Sequence, residues 1–110
     1  MDGRILGGLP VSPGRCAGRV RLIRDESDLT GVHTSDILVC AFAPAHWLSR
    51  VGRAAAIIVE TDGALSAVAT IARNLGLPIV MLEGAHLRLC ADQWVQVDGS
   101  TGEIRLARAS

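Results

Sequence analysis

The chain predicts a compact α/β domain with a mixed sheet or two small sheets. Three observations lead there. Short apolar runs rich in Ile and Val alternate with short helical patterns in the middle of the chain. Alternating apolar and polar residues toward both ends read as strands that pair in hairpins. At 110 residues and 49% apolar composition the chain can bury one core and not two, so residues 1–110 are read as a single domain.

The elements follow in order. Ser12, Pro13 and Gly14 form a turn, with Pro13 restricting one dihedral and Gly14 free to take a positive φ. Residues 18–24, GRVRLIR, set Val20 and Leu22 between arginines with the period of a half-buried strand. DILVCAF from Asp36 is brief and, after its first residue, continuously apolar, as a strand buried on both faces requires, and Pro44 ends it. HWLSRVGR suits about two helical turns, and AAIIV, Ala55 to Val59, is a second buried strand.

A helix follows. Val68, Ile71, Ala72 and Leu75 recur at helical spacing and predict one apolar face. Ser66 suits the N-cap, which makes Ala67 the first residue inside the helix. Gly76 suits the C-terminal stop, and Pro78 stands just beyond it. PIVML is a third buried strand, GAHLRL a short helical turn, and WVQVD and EIRLA flank the turn DGSTG as a hairpin.

Composition excludes several function classes. Eleven Arg and no Lys balance eleven acidic residues, and only Phe42, Trp47 and Trp94 are aromatic. A nucleic-acid binder would show a basic excess and stacking aromatics. No apolar run reaches the ~20 residues of a membrane-spanning helix, and the N-terminal residues lack the pattern of a secretory signal. Cys16, Cys40 and Cys90 form no CxxC pair, and His33, His46 and His86 have no ligand spacing, so neither a metal site nor a cofactor is expected. Cys40 reads as a buried thiol, and a reduced, cytoplasmic setting fits best.

Four stretches, in order, resemble one family. SPGRCAGRV is similar to an opening SPG-x-A-x-G-x-V, and SDILV…APAHW to GDILV…T-x-P-x-W. ETDGALSAVATIARNLGLPIV resembles E-x-GG-x-LSH-x-A-x-x-AR-x-x-G-x-P-x-V, and VQVDGSTGEI resembles V-x-VDG-x-x-G-x-V. From about Gly8 to Leu106 the chain is thereby similar to the phosphohistidine swivelling domain, the mobile domain of phosphoenolpyruvate (PEP)-utilising enzymes such as pyruvate phosphate dikinase and PEP synthase.

The resemblance implies a β/β/α swivelling fold, set in larger relatives between an ATP-grasp domain and a PEP-binding barrel. A histidine on it takes a phosphoryl group at one site and delivers it at the other. The first turn of a helix suits that task, because its unpaired N–H groups and dipole favour a phosphate.

On this alignment the phosphoryl-accepting histidine falls on Ala67, whose methyl group can form no adduct. Asp62 stands for the first glycine of the GG pair, and Gly63 for the second. A carboxylate there would satisfy the dipole internally and repel a phosphate, at roughly 1 kcal/mol in water for charges ~4 Å apart and more when buried. The two departures together read as natural divergence rather than engineered inactivation.

Glu60 matches the family's glutamate, with loop-holding hydrogen bonds as its expected role. Arg73 matches its arginine, and either steadies the loop or contacts an anion. Ser66 reads as a cap, since a phosphoserine ester is too stable for a shuttle. His46 and His86 read as ordinary loop and turn residues. The expectation is a non-catalytic module that docks on a separate ATP-grasp or PEP-binding subunit. The alternatives are a phosphotransferase component of a split PEP-synthase- or dikinase-like system, inactive here because Ala67 replaces the histidine or working through a substitute residue, and, last, a small-ligand binder.

Overall fold

The computed structural model describes residues 4–51, 54–61 and 65–106, less the side chains of Ala45, Val51, Leu65 and Ser66. Strands β1 (Ile5–Gly7), β2 (Leu9–Ser12), β3 (Arg15–Leu22), β4 (Asp36–Cys40), β5 (Ala56–Val59), β6 (Ile79–Met81), β7 (Trp94–Asp98) and β8 (Glu103–Leu106) join in one mixed sheet. Its order is β1-β8-β7-β3-β4-β5-β6-β2. Helices α1 (Leu48–Val51), α2 (Leu65–Leu75) and α3 (Ala85–Arg88) complete the fold, with 3₁₀ turns at Glu26–Leu29 and Ala45–Trp47.

The middle strands β3, β4, β5 and β6 run parallel. Every residue of β4 and β5 is buried, which is why these segments read as continuous apolar runs. Alternate residues divide the core that the chain's length predicts into two halves, one on each face of the parallel strands. Ile37, Val39, Ala56, Ile58 and Val80 pack with Val20 of β3 and against Leu6, Val95, Val97, Ile104 and Leu106 of the antiparallel strands. Leu38, Cys40, Ile57, Val59 and Ile79 pack instead with Leu48, Val68 and Ala72 of the helices. The result is three layers: antiparallel strands, parallel strands, helices.

Three sequence expectations change. The N-terminal segments form no hairpin: β2 pairs with β6 and β3 with β7 and β4, while the hairpin β7–β8 at the other end does form. The turn at Pro13 and Gly14, with Gly14 at φ 130°, carries the chain from one part of the sheet to another instead of closing two neighbours. The face of α2 is narrower than its apolar spacing suggests. Val68, Ala69 and Ala72 are buried, whereas Ile71 is 37% and Leu75 52% exposed. A helix lying flat on a sheet buries only the stripe directly beneath it. Finally, α2 begins at Leu65, so Ser66 is its second residue and not its cap, and Ala67 its third. Gly76, at φ 71°, ends it in the left-handed conformation as expected, with Leu77 N–H bonded to the Ala72 carbonyl at 2.9 Å.

Two strands have no clear sequence signal, because Gly7, Gly8 and Pro10 break any alternation. They are one run of chain, residues 5–12, and they supply both edges of the sheet: β1 on β8 and β2 on β6. Gly8 is the joint, its N–H bonded to the Gly102 carbonyl at 2.8 Å. A Cβ there would lie 2.5 Å from the Met81 carbonyl oxygen. Joining the two edges covalently leaves little exposed strand for unwanted pairing.

Candidate functional site

The parallel strands β4, β5 and β6 end at one edge, where open α/β sheets carry their binding loops. The segment after β5 is tied down at this edge by its backbone. Glu60 N–H donates to the Cys40 and Ala41 carbonyls, both at 3.1 Å, and Thr61 N–H to the Ala41 carbonyl at 3.0 Å. The Thr61 hydroxyl donates to the same oxygen at 3.2 Å. The chain then enters residues 62–64; Asp62 and Gly63 lie outside the described residues, as does the side chain of Ser66.

Ala67 is exposed in the first turn of α2. Amide groups in that turn have no intrahelical partner, so the position keeps the electrostatic character of a helix start. Arg73 stands six residues on, which is roughly 9 Å along the axis and about 240° around it. Its guanidinium donates to the Val11 carbonyl at 3.2 Å, tying α2 to β2. The structure therefore sets Arg73 and Ala67 on different sides of the helix.

Glu60 reaches across to the turn that follows β6. Its Oε2 accepts from the backbone N–H of His86 at 2.8 Å, and its Oε1 lies 3.2 Å from His86 Nδ1. Both side chains are largely buried, with 20% of Glu60 and 24% of His86 exposed. His86 Nε2 is buried and has no hydrogen-bond partner among the described residues. Sequence spacing offers no sign of this pair, since 26 residues separate its members. Only the adjacency of β5 and β6 brings them together.

His46 belongs to a different cluster. Its Nε2 lies 3.2 Å from Glu26 Oε1, which also accepts from Trp47 Nε1 at 3.1 Å, and Arg50 reaches Glu26 Oε2 at 3.3 Å. The His46 hydrogen bond, then that of Trp47, holds the Glu26 carboxyl below its usual range. Among the described residues no group of three or more His, Cys, Asp or Glu side chains is placed to hold a metal ion. Among the described residues no helix is long and apolar enough to cross a membrane.

The cysteines are free, and Cys40 is buried as its sequence context requires. Burial, with the nearby Glu60 charge as the smaller cause, pushes its thiol up to about 12, and burial alone pushes Cys16 up to about 11. Thiolates are the reactive form. Alkylation of the folded chain near neutral pH is thus expected at exposed Cys90 first, with Cys40 modified only on unfolding. Peptide mapping of a time course checks this. The same burial gives a stability trend. A thiol whose folded value is raised stabilises the fold fully below its unfolded value of 9.0, and that contribution is lost as pH climbs toward about 12. Urea midpoints should fall across that window, and less so in Cys40→Ser measured against its own value at neutral pH.

Comparison with known proteins agrees with this architecture. A UPF0107 protein solved by NMR superposes with TM-score 0.71 at 16% identity, covering 96% of this chain and all of that one. Aconitase X of Thermococcus kodakaraensis superposes with TM-score 0.69 at 19% identity over the same shares. At such identities the likeness is one of fold.

Sequence relatives are nearer. The chain is 38% identical over 104 residues to the uncharacterized phosphotransferase YvkC of Bacillus subtilis, covering 94% of this chain. It is 39% identical over 101 residues to the PEP synthase of Pyrococcus furiosus, covering 91%. With the rifampicin phosphotransferase of Streptomyces sviceus it shares 38% over 108 residues, covering 96%. In each case it spans 12% of the relative's length. Residues 32–102 match the model of one family, and with the three-layer fold and these relatives they place the chain in it: it belongs to the PEP-utilising enzyme mobile domain family.

Proposed function

We propose that this domain is a docking element of a phosphoryl-transfer assembly, and that the start of α2 carries no phosphoryl group. One observation carries the reading. On a scaffold that keeps the family's strands, turns and helix, the exposed side chain in the first turn of α2 is the methyl group of Ala67. That is where the resemblance puts the accepting histidine. A methyl group has no lone pair to offer phosphorus, and the neighbouring Asp62 adds a negative charge to the same loop. The partners that fit are an ATP-grasp subunit and a PEP-binding subunit, the two sites between which the family's mobile domain moves.

The test is direct binding. Immobilised chain, exposed in turn to separately expressed ATP-grasp and PEP-binding subunits from the same source, is expected to show saturable binding at about micromolar Kd or tighter to at least one. Absence of saturable binding to both overturns the docking reading.

A second reading, a carrier that uses a different residue, is favoured by the Glu60–His86 pair. A carboxylate held against one imidazole nitrogen leaves the other as a nucleophile, which is a working arrangement for group transfer.

A further inference from the structure

We infer that His86 Nε2 is a phosphoryl-accepting site, with Glu60 as its positioning residue; this rests on the second reading above. A carboxylate can only accept hydrogen bonds, and with Glu60 Oε1 3.2 Å from His86 Nδ1 the proposal puts the ring proton on Nδ1. Nε2 is then left as a bare lone pair. It is buried and has no hydrogen-bond partner among the described residues, so nothing in this fold occupies that lone pair. The second carboxylate oxygen takes the His86 backbone N–H at 2.8 Å, which fixes the root of the side chain as well as its ring. Both ends of the imidazole's mounting are therefore set by one residue.

The location suits the chemistry. His86 follows β6 and Glu60 follows β5, parallel neighbours whose ends meet at the edge from which α2 also starts. The turn bearing His86 is four residues long and preceded by Gly84 at φ 72°. Nε2 is buried in this fold, so its reaction requires local opening of this four-residue turn.

The step balances without any further reagent. The Nε2 lone pair attacks the phosphorus of an activated phosphoryl donor, and an N–P bond forms. The donor's bridging bond breaks, and its electron pair leaves with the departing group. Nδ1 keeps its proton, so the ring gains a positive charge that faces the Glu60 carboxylate. Return of the phosphoryl group to an acceptor oxygen restores the neutral ring.

Phosphoramidate, which donates to imidazoles with ammonia as the leaving group, is the probe. The purified chain is incubated with it, quenched in alkali and mapped by peptide mass spectrometry, beside an Ala67→His variant that shows the reagent reaches this edge. The expected result is an acid-labile phosphoryl group on His86 in the unaltered chain. Glu60→Gln, checked for folding by circular dichroism, should slow labelling of His86 by roughly tenfold or more while exposed His33 and His46 label at unchanged rates. Labelling confined to His33 and His46, with His86 unmodified, overturns the assignment. An unchanged rate at His86 in Glu60→Gln overturns the positioning role. Neither outcome touches the docking reading, which the binding measurement decides separately.

Discussion

Ala67→His is expected to gain a phosphoryl adduct at position 67 that is stable in alkali and lost in acid, which Ala67 itself cannot form. Two physical terms support this gain. The substituted ring stands exposed in the first turn of α2, where unpaired N–H groups and the positive end of the dipole favour an anion by about 0.3–1 kcal/mol, and by up to ~2 when partly buried. The rest of the scaffold needs no repair, since α2 is already fastened to the sheet through Val68, Ala72 and the Arg73 tie to Val11. Asp62 opposes the adduct. Adding Asp62→Gly should therefore quicken labelling at position 67, by roughly five- to tenfold for a repulsion of about 1 kcal/mol. Peptide mapping after phosphoramidate treatment reads both effects. No label at position 67 in the double variant would remove the reading of this loop as an emptied carrier site.

Gly99→Ala is expected to cost about 3 kcal/mol or more, a large fraction of the total stability of a domain of this size. Gly99 lies in the turn after β7, its N–H bonded to the Gly14 carbonyl at 2.7 Å. A Cβ there would stand 1.9 Å from the Ser12 carbonyl oxygen, 3.1 Å from the Ser12 carbonyl carbon and 3.3 Å from Pro78 Cβ. The nearest of these is backbone, anchored by a strand on one side and the Pro13–Gly14 turn on the other, so no side chain can swing away to make room. Gly7→Ala is the contrast, because a Cβ at Gly7 meets nothing within 4 Å. It should change stability by less than about 1 kcal/mol and can raise it, by narrowing the freedom of the unfolded chain. Urea unfolding of both variants measures the difference. Equal midpoints would mean that the close approach at Gly99 relaxes at little cost.

Much of the architecture is legible in the chain because its signals are local. ILVC, after Asp36, and AIIV are apolar at every position, as strands covered on both faces require. The Gly76 stop and the DGSTG turn announce themselves by residues that tolerate what the backbone must do there. The edge strands are illegible for the opposite reason. Ile5–Gly7 and Leu9–Ser12 gain their hydrogen bonds from β8 and β6, which lie far along the chain, and nothing in GRILGGLPVS records those partners.

The site divides the same way. Glu60, Asp62, Gly63, Ser66, Ala67 and Arg73 are contiguous enough to be recognised as one motif. The fold then separates Arg73 from Ala67 by rotation about a single helix. It also makes His86, in no motif, the partner of Glu60.

By itself the sequence determined the class of fold, the buried middle strands, the family and the identity of the side chain at the start of α2. Each of these depends on residue types at short spacing, which the chain displays directly. Only the tertiary structure decided that residues 5–12 close the sheet at both edges, that Ile71 and Leu75 stay in solvent, and that Glu60 holds an imidazole whose Nε2 has no partner among the described residues. These depend on which strand lies beside which, and that order is set by burying two cores on opposite faces of one sheet.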